Sequence, residues 1–192
     1  DYFAYVDGKP RYDGVRDFFA SRGITLPEGD PSDGPAAQTI CGLGNRKNDL
    51  FNTVLARDGI QPYPGSRRWV DRLHESGMAM AVVSSSRNAA AVLKAAGMVE
   101  DFSVLVDGNR SKTERLPGKP APDTYLRGAE LLGVPAEQCV VVEDAVSGVR
   151  AGAAGGFGMV LGVNRGVGAD RLREAGADRV VDDLDEMVEE MA

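Results

Sequence analysis

Beyond Gly77, short apolar runs alternate with helical stretches of about ten residues, and this rhythm restricts the possible folds more than any other feature. Met78 to Val83 reads as a strand, and Asn88 to Ala96 as a helix stopped by Gly97. An alternating strand follows at Phe102 to Val106, then a loop to Pro122 and a helix from Asp123 to Leu132 closed by Gly133. Cys139 to Val142 forms the next strand and Val146 to Ala154 the next helix. The remainder continues the pattern with strands at Met159 to Val163 and Arg179 to Val181, and helices near Asp170 to Ala175 and from Leu184 to Met191. Strands separated by helices pair in parallel through crossovers, which leaves both faces of the sheet covered. The expected fold class is α/β, a Rossmann-like parallel sheet with helices on both faces.

The first third of the chain follows a different rule. A helix is expected from Tyr12 to Arg22, ending at Gly23. The polar stretch PEGDPSDGP, residues 27 to 35, reads as a loop. A longer helix runs from about Ala36 to Arg57, with Leu43, Leu50, Phe51, Val54 and Leu55 on one side. After Tyr63-Pro64-Gly65 comes a helix from Ser66 to Glu75. This divides the 192 residues into a small all-helical unit, 1–61, and an α/β core, 62–192.

The charge narrows the partners. A net charge of −7 and a pI of about 4.8 exclude nonspecific attraction to nucleic acid or to an anionic membrane. An anionic small substrate must then be met by a local cluster of cations. Cys41 and Cys139 lie far apart and form no metal-type pair, and Cys139 at the start of an apolar strand behaves as a small hydrophobe. Free thiols suit a reducing, cytoplasmic setting. No apolar run approaches the length of a membrane span.

In open α/β sheets ligands bind beyond the carboxyl ends of the strands. After Met78 to Val83 come Ser84, Ser85, Ser86, Arg87 and Asn88. One Ser or Asn would cap a helix, whereas five consecutive polar groups at a helix start offer a phosphate site. Before the helix at Asp123, LPGKPAPD surrounds Lys119 with prolines, which suits either a surface turn or a lysine held in one place. After Cys139 to Val142 come Glu143 and Asp144. One acid could cap the next helix, and the pair could hold a hard cation such as Mg²⁺. The Gly-containing AVSGVRAGAAGG that follows allows a helix to approach the sheet closely.

Taken in order, VVSSSRN, GKPAPD and VVVEDAVSG resemble three motifs of the haloacid dehalogenase superfamily, in the β-phosphoglucomutase-like subgroup with a helical cap. The resemblance implies a Mg²⁺ cofactor held by Glu143 and Asp144, a phosphoryl-binding hydroxyl at Ser84 and a charge-neutralising lysine at Lys119. It also implies that residues 1–61 form the cap. Arg11 in DGKPRYDGV would bind the substrate's non-transferring phosphate, and Lys47 in NRKNDLF would face the site, with ordinary surface charge as the alternative for both. Ser86, Arg87 and Asn88 match a Ser-Lys-Asn run, with Arg in place of Lys; Ser85 belongs to the same substrate-binding stretch.

One departure stands out. The family's DxDGxxxD motif, which supplies the nucleophile and a general acid/base, is missing from these residues. Asp107-Gly108 has no Asp two residues before the Gly, and Asp183 and Asp185 read as a helix start. By this comparison the chain begins inside the cap and lacks the first strand, so these residues alone are expected to be inactive and poorly folded. The implied activity is Mg²⁺-dependent phosphoryl transfer on a small phosphosugar through an aspartyl-phosphate. A sugar-phosphate phosphatase and a noncatalytic regulatory domain are the alternatives. The sequence assigns no oligomeric state. His74 is expected to face solvent, Trp69 to pack in the core or against the cap, and the acidic 182–190 stretch to be a solvated helix face.

Overall fold

The computed structural model describes residues 2–190. Its first part is helical: α1 (Tyr2–Tyr5), α2 (Arg11–Ala20) and α3 (Ile40–Asp58). The α3 helix starts four residues later than its apolar pattern suggests, because the Thr39 side chain accepts a hydrogen bond from Gly42 N and caps it there. Gly44 allows α3 to lie directly on α2, since a Cβ at this position would press on the Tyr12 ring. The α4 helix (Pro64–Glu75) begins on a proline whose absent N–H is not needed in a first turn.

Five parallel strands follow, with the helices between them. They are β1 (Ala81–Val83), β2 (Val104–Val106), β3 (Val140–Glu143), β4 (Met159–Val163) and β5 (Arg179–Val181). The helices are α5 (Ala89–Ala95), α6 (Gly108–Glu114), α7 (Asp123–Leu132), α8 (Val146–Ala154), α9 (Ala169–Glu174) and α10 (Asp185–Glu190). The expected single sheet is found in two pieces. β1 pairs with β2, and β3-β4-β5 form a separate ladder in register Val142↔Leu161 and Leu161↔Arg179. Among the described residues no strand pairs the free edges of β1 and β3.

Strand alternation explains the two-sided burial of the larger sheet. Val141, Val160 and Val180 point to one face, where they meet Val149, Ala151, Leu172 and Tyr125 from α7, α8 and α9. Leu161 and Val181 point to the other face, joined by Val163 and by Trp69, Leu184 and Met187 from around α4 and α10. Val83 of β1 packs on the first cluster, so both sheets share that core.

Several local expectations change. Residues 107–122 are not all loop: the Asp107 carboxylate accepts from Asn109 N and Arg110 N and so starts α6. Cys139 stands just outside β3, behind a 3₁₀ turn at Ala136–Gln138, and is only partly buried. Val140, at the start of β3, is 53% exposed. The acidic C-terminal stretch is partly engaged, since Asp183 pairs with Arg165, Asp185 with Arg68 and Glu190 with Arg179. Helix α10 begins at Asp185, and Met191 lies outside the described residues. His74 is exposed, as expected. No helix among the described residues is long and apolar enough to cross a membrane.

Candidate active site

The residues after β1 fold into a turn held by their own hydroxyls. Ser84 N continues the pairing by donating to Val106 O at 2.9 Å. Ser86 N then donates to Ser84 Oγ at 3.2 Å, and Asn88 N to Ser86 Oγ at 3.1 Å. Asn88 occupies the N-cap of α5 but makes no side-chain cap bond. Its amide donates instead to Asn48 Oδ1 on α3, at 2.7 Å. Capping therefore does not account for this polar run.

The acidic pair lies opposite. Lys119 is buried, and its Nζ sits 2.9 Å from Glu143 Oε2 and 3.4 Å from Val83 O. A single ammonium thus spans the interval between β1 and β3. The Tyr125 hydroxyl also donates to Glu143 Oε2, at 2.6 Å, and the Tyr125 ring centroid lies 4.6 Å from Lys119 Nζ. Burial first, and then the Glu143 charge, raise the Tyr125 hydroxyl above its ordinary pKa, so it remains a donor. Gly148 leaves the space that Glu143 fills.

Asp144 is not a helix cap either: Ala145 takes that place in α8, without a side-chain bond. The Asp144 side chain opens into the cleft, yet its pKa is pushed up to about 6 by burial among the cleft walls, then by Glu143 and Asp7. Asp7 is also raised, by burial first and then by Glu143. Adjacent carboxylates that repel one another in this way are a site short of positive charge. Mg²⁺ needs only one or two protein carboxylates and keeps several waters, and Glu143 and Asp144 fit that requirement. Among the described residues no cluster of three or more candidate metal ligands occurs.

The helical part closes the cleft from above. Ser85 Oγ donates to Gly8 O at 2.9 Å, and Gly8 (φ +69°) lies so close to Ser147 that a Cβ would overlap it. Arg11 is forked between Asn45 and Asn48, and the Arg87 guanidinium lies 5.6 Å from the Tyr12 ring centroid. The cleft, open to solvent on one side, has a volume of about 900 Å³. Arg11, Lys47, Ser84, Ser85, Ser86, Arg87, Asn88, Lys119, Glu143 and Asp144 all line it. Eight cationic side chains face five acidic ones along its walls, a local excess of positive charge in a chain of net charge −7.

Sequence reasoning missed Asp7, Asn48 and Tyr125. The Asp7-Gly8 turn just ahead of Lys9 and Arg11 was an available signal for the first. The other two depend on neighbours distant in sequence and carried none.

Comparison with known proteins places this geometry in context. The family model described as haloacid dehalogenase-like hydrolase matches residues 7–156. A protein of Mycobacterium bovis named beta-phosphoglucomutase is 50% identical over 191 residues, covering 98% of this chain and 73% of that protein. Hexitol phosphatase A of Escherichia coli K12 is 39% identical over 132 residues, 68% of this chain and 57% of that protein. The crystal structure of CbbY from Rhodobacter sphaeroides in complex with phosphate superposes with a TM-score of 0.74. It shares 25% identity and covers 97% of this chain and 78% of that one.

Proposed function

The chain belongs to the haloacid dehalogenase-like hydrolase family, in its phosphatase and phosphoglucomutase branch, and on that premise we propose that it moves the phosphoryl group of a small phosphosugar in the manner of a β-phosphoglucomutase. The observation that carries this reading is the convergence of Arg11, Lys47 and Arg87 with the Lys119–Glu143 pair and Asp144 on one cleft. A cluster of cations in one cleft suits an anionic substrate. Neutral sugars would leave them uncompensated.

In this reading residues 1–61 are the cap and 62–192 the core. Ser84 donates its hydroxyl proton to a phosphoryl oxygen, and Lys119 balances the charge on that group from below. Glu143 holds Lys119 in place, and Tyr125 holds Glu143. Arg11, Lys47 and the Ser85–Asn88 turn bind the far end of the substrate and exclude water as the cap closes. Glu143 and Asp144 would hold a Mg²⁺ ion, which supplies charge neutralisation to the transferring group when bound. An aspartyl-phosphate route requires the carboxylate of a DxDGxxxD motif, which residues 1–192 do not contain. The free thiols fit a cytoplasmic protein.

The hexitol phosphatase relative favours a second reading, transfer to water instead of to a sugar hydroxyl. Incubation of a protein that carries the DxDGxxxD motif together with these residues, with β-glucose 1-phosphate, Mg²⁺ and a bisphosphate primer, distinguishes the two. Formation of glucose 6-phosphate supports the mutase, and release of inorganic phosphate without it supports the phosphatase. A phosphosugar that binds and is never turned over would overturn both.

A further inference from the structure

Arg11 is held in an unusual way for a cation on an acidic protein. Its Nη2 donates to Asn48 Oδ1 at 2.6 Å and its Nη1 to Asn45 Oδ1 at 3.2 Å, and it forms no ion pair among the described residues. Asn45 and Asn48 are three residues apart on α3 and so share one helix face. Asn45 is fixed from behind, with its amide donating to Pro31 O at 3.1 Å and Asp33 O at 2.8 Å, and its oxygen also accepting from the Tyr12 hydroxyl at 3.0 Å. Arginine has only donors, so the oxygen of each amide must be the atom that faces it. Asn48 Oδ1 accepts a second bond, from Asn88 Nδ2 at 2.7 Å. One neutral oxygen therefore ties an arginine of the helical part to the polar turn that follows β1.

We propose that Asn48 is a positioning residue that pins the Arg11 guanidinium against the Ser86–Asn88 turn while leaving its charge uncompensated, and thereby builds the subsite for the substrate's second anionic group. A carboxylate at position 48 could make the same two hydrogen bonds, but it would form an ion pair with Arg11 and cancel the attraction on which the subsite depends. An amide orients the cation without neutralising it. Because Asn48 bonds to both parts of the molecule, it also couples closure of the cleft to the placement of Arg11. This inference rests on the phosphosugar reading above for its ligand and on the hydrogen bonds alone for its geometry.

Asn48→Asp and Asn48→Ala separate orientation from charge. Calorimetry with hexose 1,6-bisphosphate as the probe should show about tenfold weaker binding in Asn48→Ala, the loss of roughly one hydrogen bond to a charged group. Asn48→Asp should weaken it at least as much, although it retains both bonds. Side-chain NMR of the Arg11 guanidinium gives a readout that needs no ligand: rotation about its Nε–Cζ bond should be slow in the wild type and in Asn48→Asp, and fast in Asn48→Ala. Bisphosphate affinity in Asn48→Asp within twofold of wild type overturns the charge argument. Unchanged Arg11 rotation in Asn48→Ala overturns the positioning role. Should the wild type bind no phosphosugar while Asn48→Ala still frees Arg11, the phosphosugar reading and its subsite fall, and the pinning of Arg11 stands.

Discussion

Lys119 Nζ lies 2.9 Å from Glu143 Oε2, and the two side chains are 4% and 11% exposed. Taking one partner from a buried pair strands the other charge, which costs about 3–5 kcal/mol. Lys119→Met should therefore lower the unfolding free energy by about that amount in urea titrations. Adding Glu143→Gln should return part of the loss, because the stranded carboxylate is removed. A double variant no more stable than Lys119→Met would show that the pair is not coupled.

Tyr125→Phe removes one donor from the same oxygen without opening a cavity. Tyr125 is 7% exposed and its hydroxyl bonds the Glu143 carboxylate at 2.6 Å. A hydrogen bond to a charged group contributes about 1.5–3 kcal/mol, and the expected loss is at the lower end because Lys119 remains. The same denaturation series measures it, and a variant as stable as wild type would remove Tyr125 from the support of Glu143.

The crowded acids give a pH test. The Asp144 carboxyl, with a pKa of about 6, keeps a proton in the metal-free native state that the unfolded chain has lost. Between the unfolded value of about 4 and that pH the native state binds more protons, so stability from this group is complete at low pH and is lost as pH rises through 6. Asp144→Asn should thus match wild type at pH 4 and exceed it at pH 8 by about 1 kcal/mol, a figure discounted because the group opens to the cleft. Urea titrations in the presence of a chelator check the trend. Added Mg²⁺ should then stabilise the wild type at pH 8 more than the variant. A stability difference that does not vary with pH would refute this assignment.

Much of this was legible in the residues, and the failures have physical causes. Asp123–Leu132, Val146–Ala154, Met159–Val163 and Arg179–Val181 match their expected bounds because strong apolar patterns there end on turn-forming residues. The α6 segment GNRSKTE is polar on every side and carries no helical period. It is held by the Asp107 cap and by Glu114, which pairs with Arg110 and, at 2.8 Å, with the distant Arg127. The ten expected site residues share a cleft because those of the core follow strand ends, where such sites form. Tyr125 reads as an ordinary core aromatic until Glu143 is seen beside it. Asn48 reads as a helix-surface amide until Arg11 and Asn88 are seen on either side.

Gly148 sets two effects against each other. It lies inside α8, where Ala should be about 1 kcal/mol more favourable than Gly. A Cβ there, however, would overlap the Glu143 carboxyl carbon and its Cγ, and Glu143 is held by Lys119 and Tyr125 and cannot swing aside freely. Overpacking a constrained site costs about 1–3 kcal/mol, so the steric term should win and Gly148→Ala should be less stable than wild type. Gly152 in the same helix provides the control: its Cβ would approach Val141 and Val160 at 3.1 Å, a contact that small shifts of apolar side chains can relieve. Gly152→Ala should therefore be the milder change in parallel denaturation, and only Gly148→Ala should weaken Mg²⁺ binding by displacing Glu143. A Gly148→Ala variant more stable than wild type would mean that helix propensity governs this position and that Glu143 is free to move.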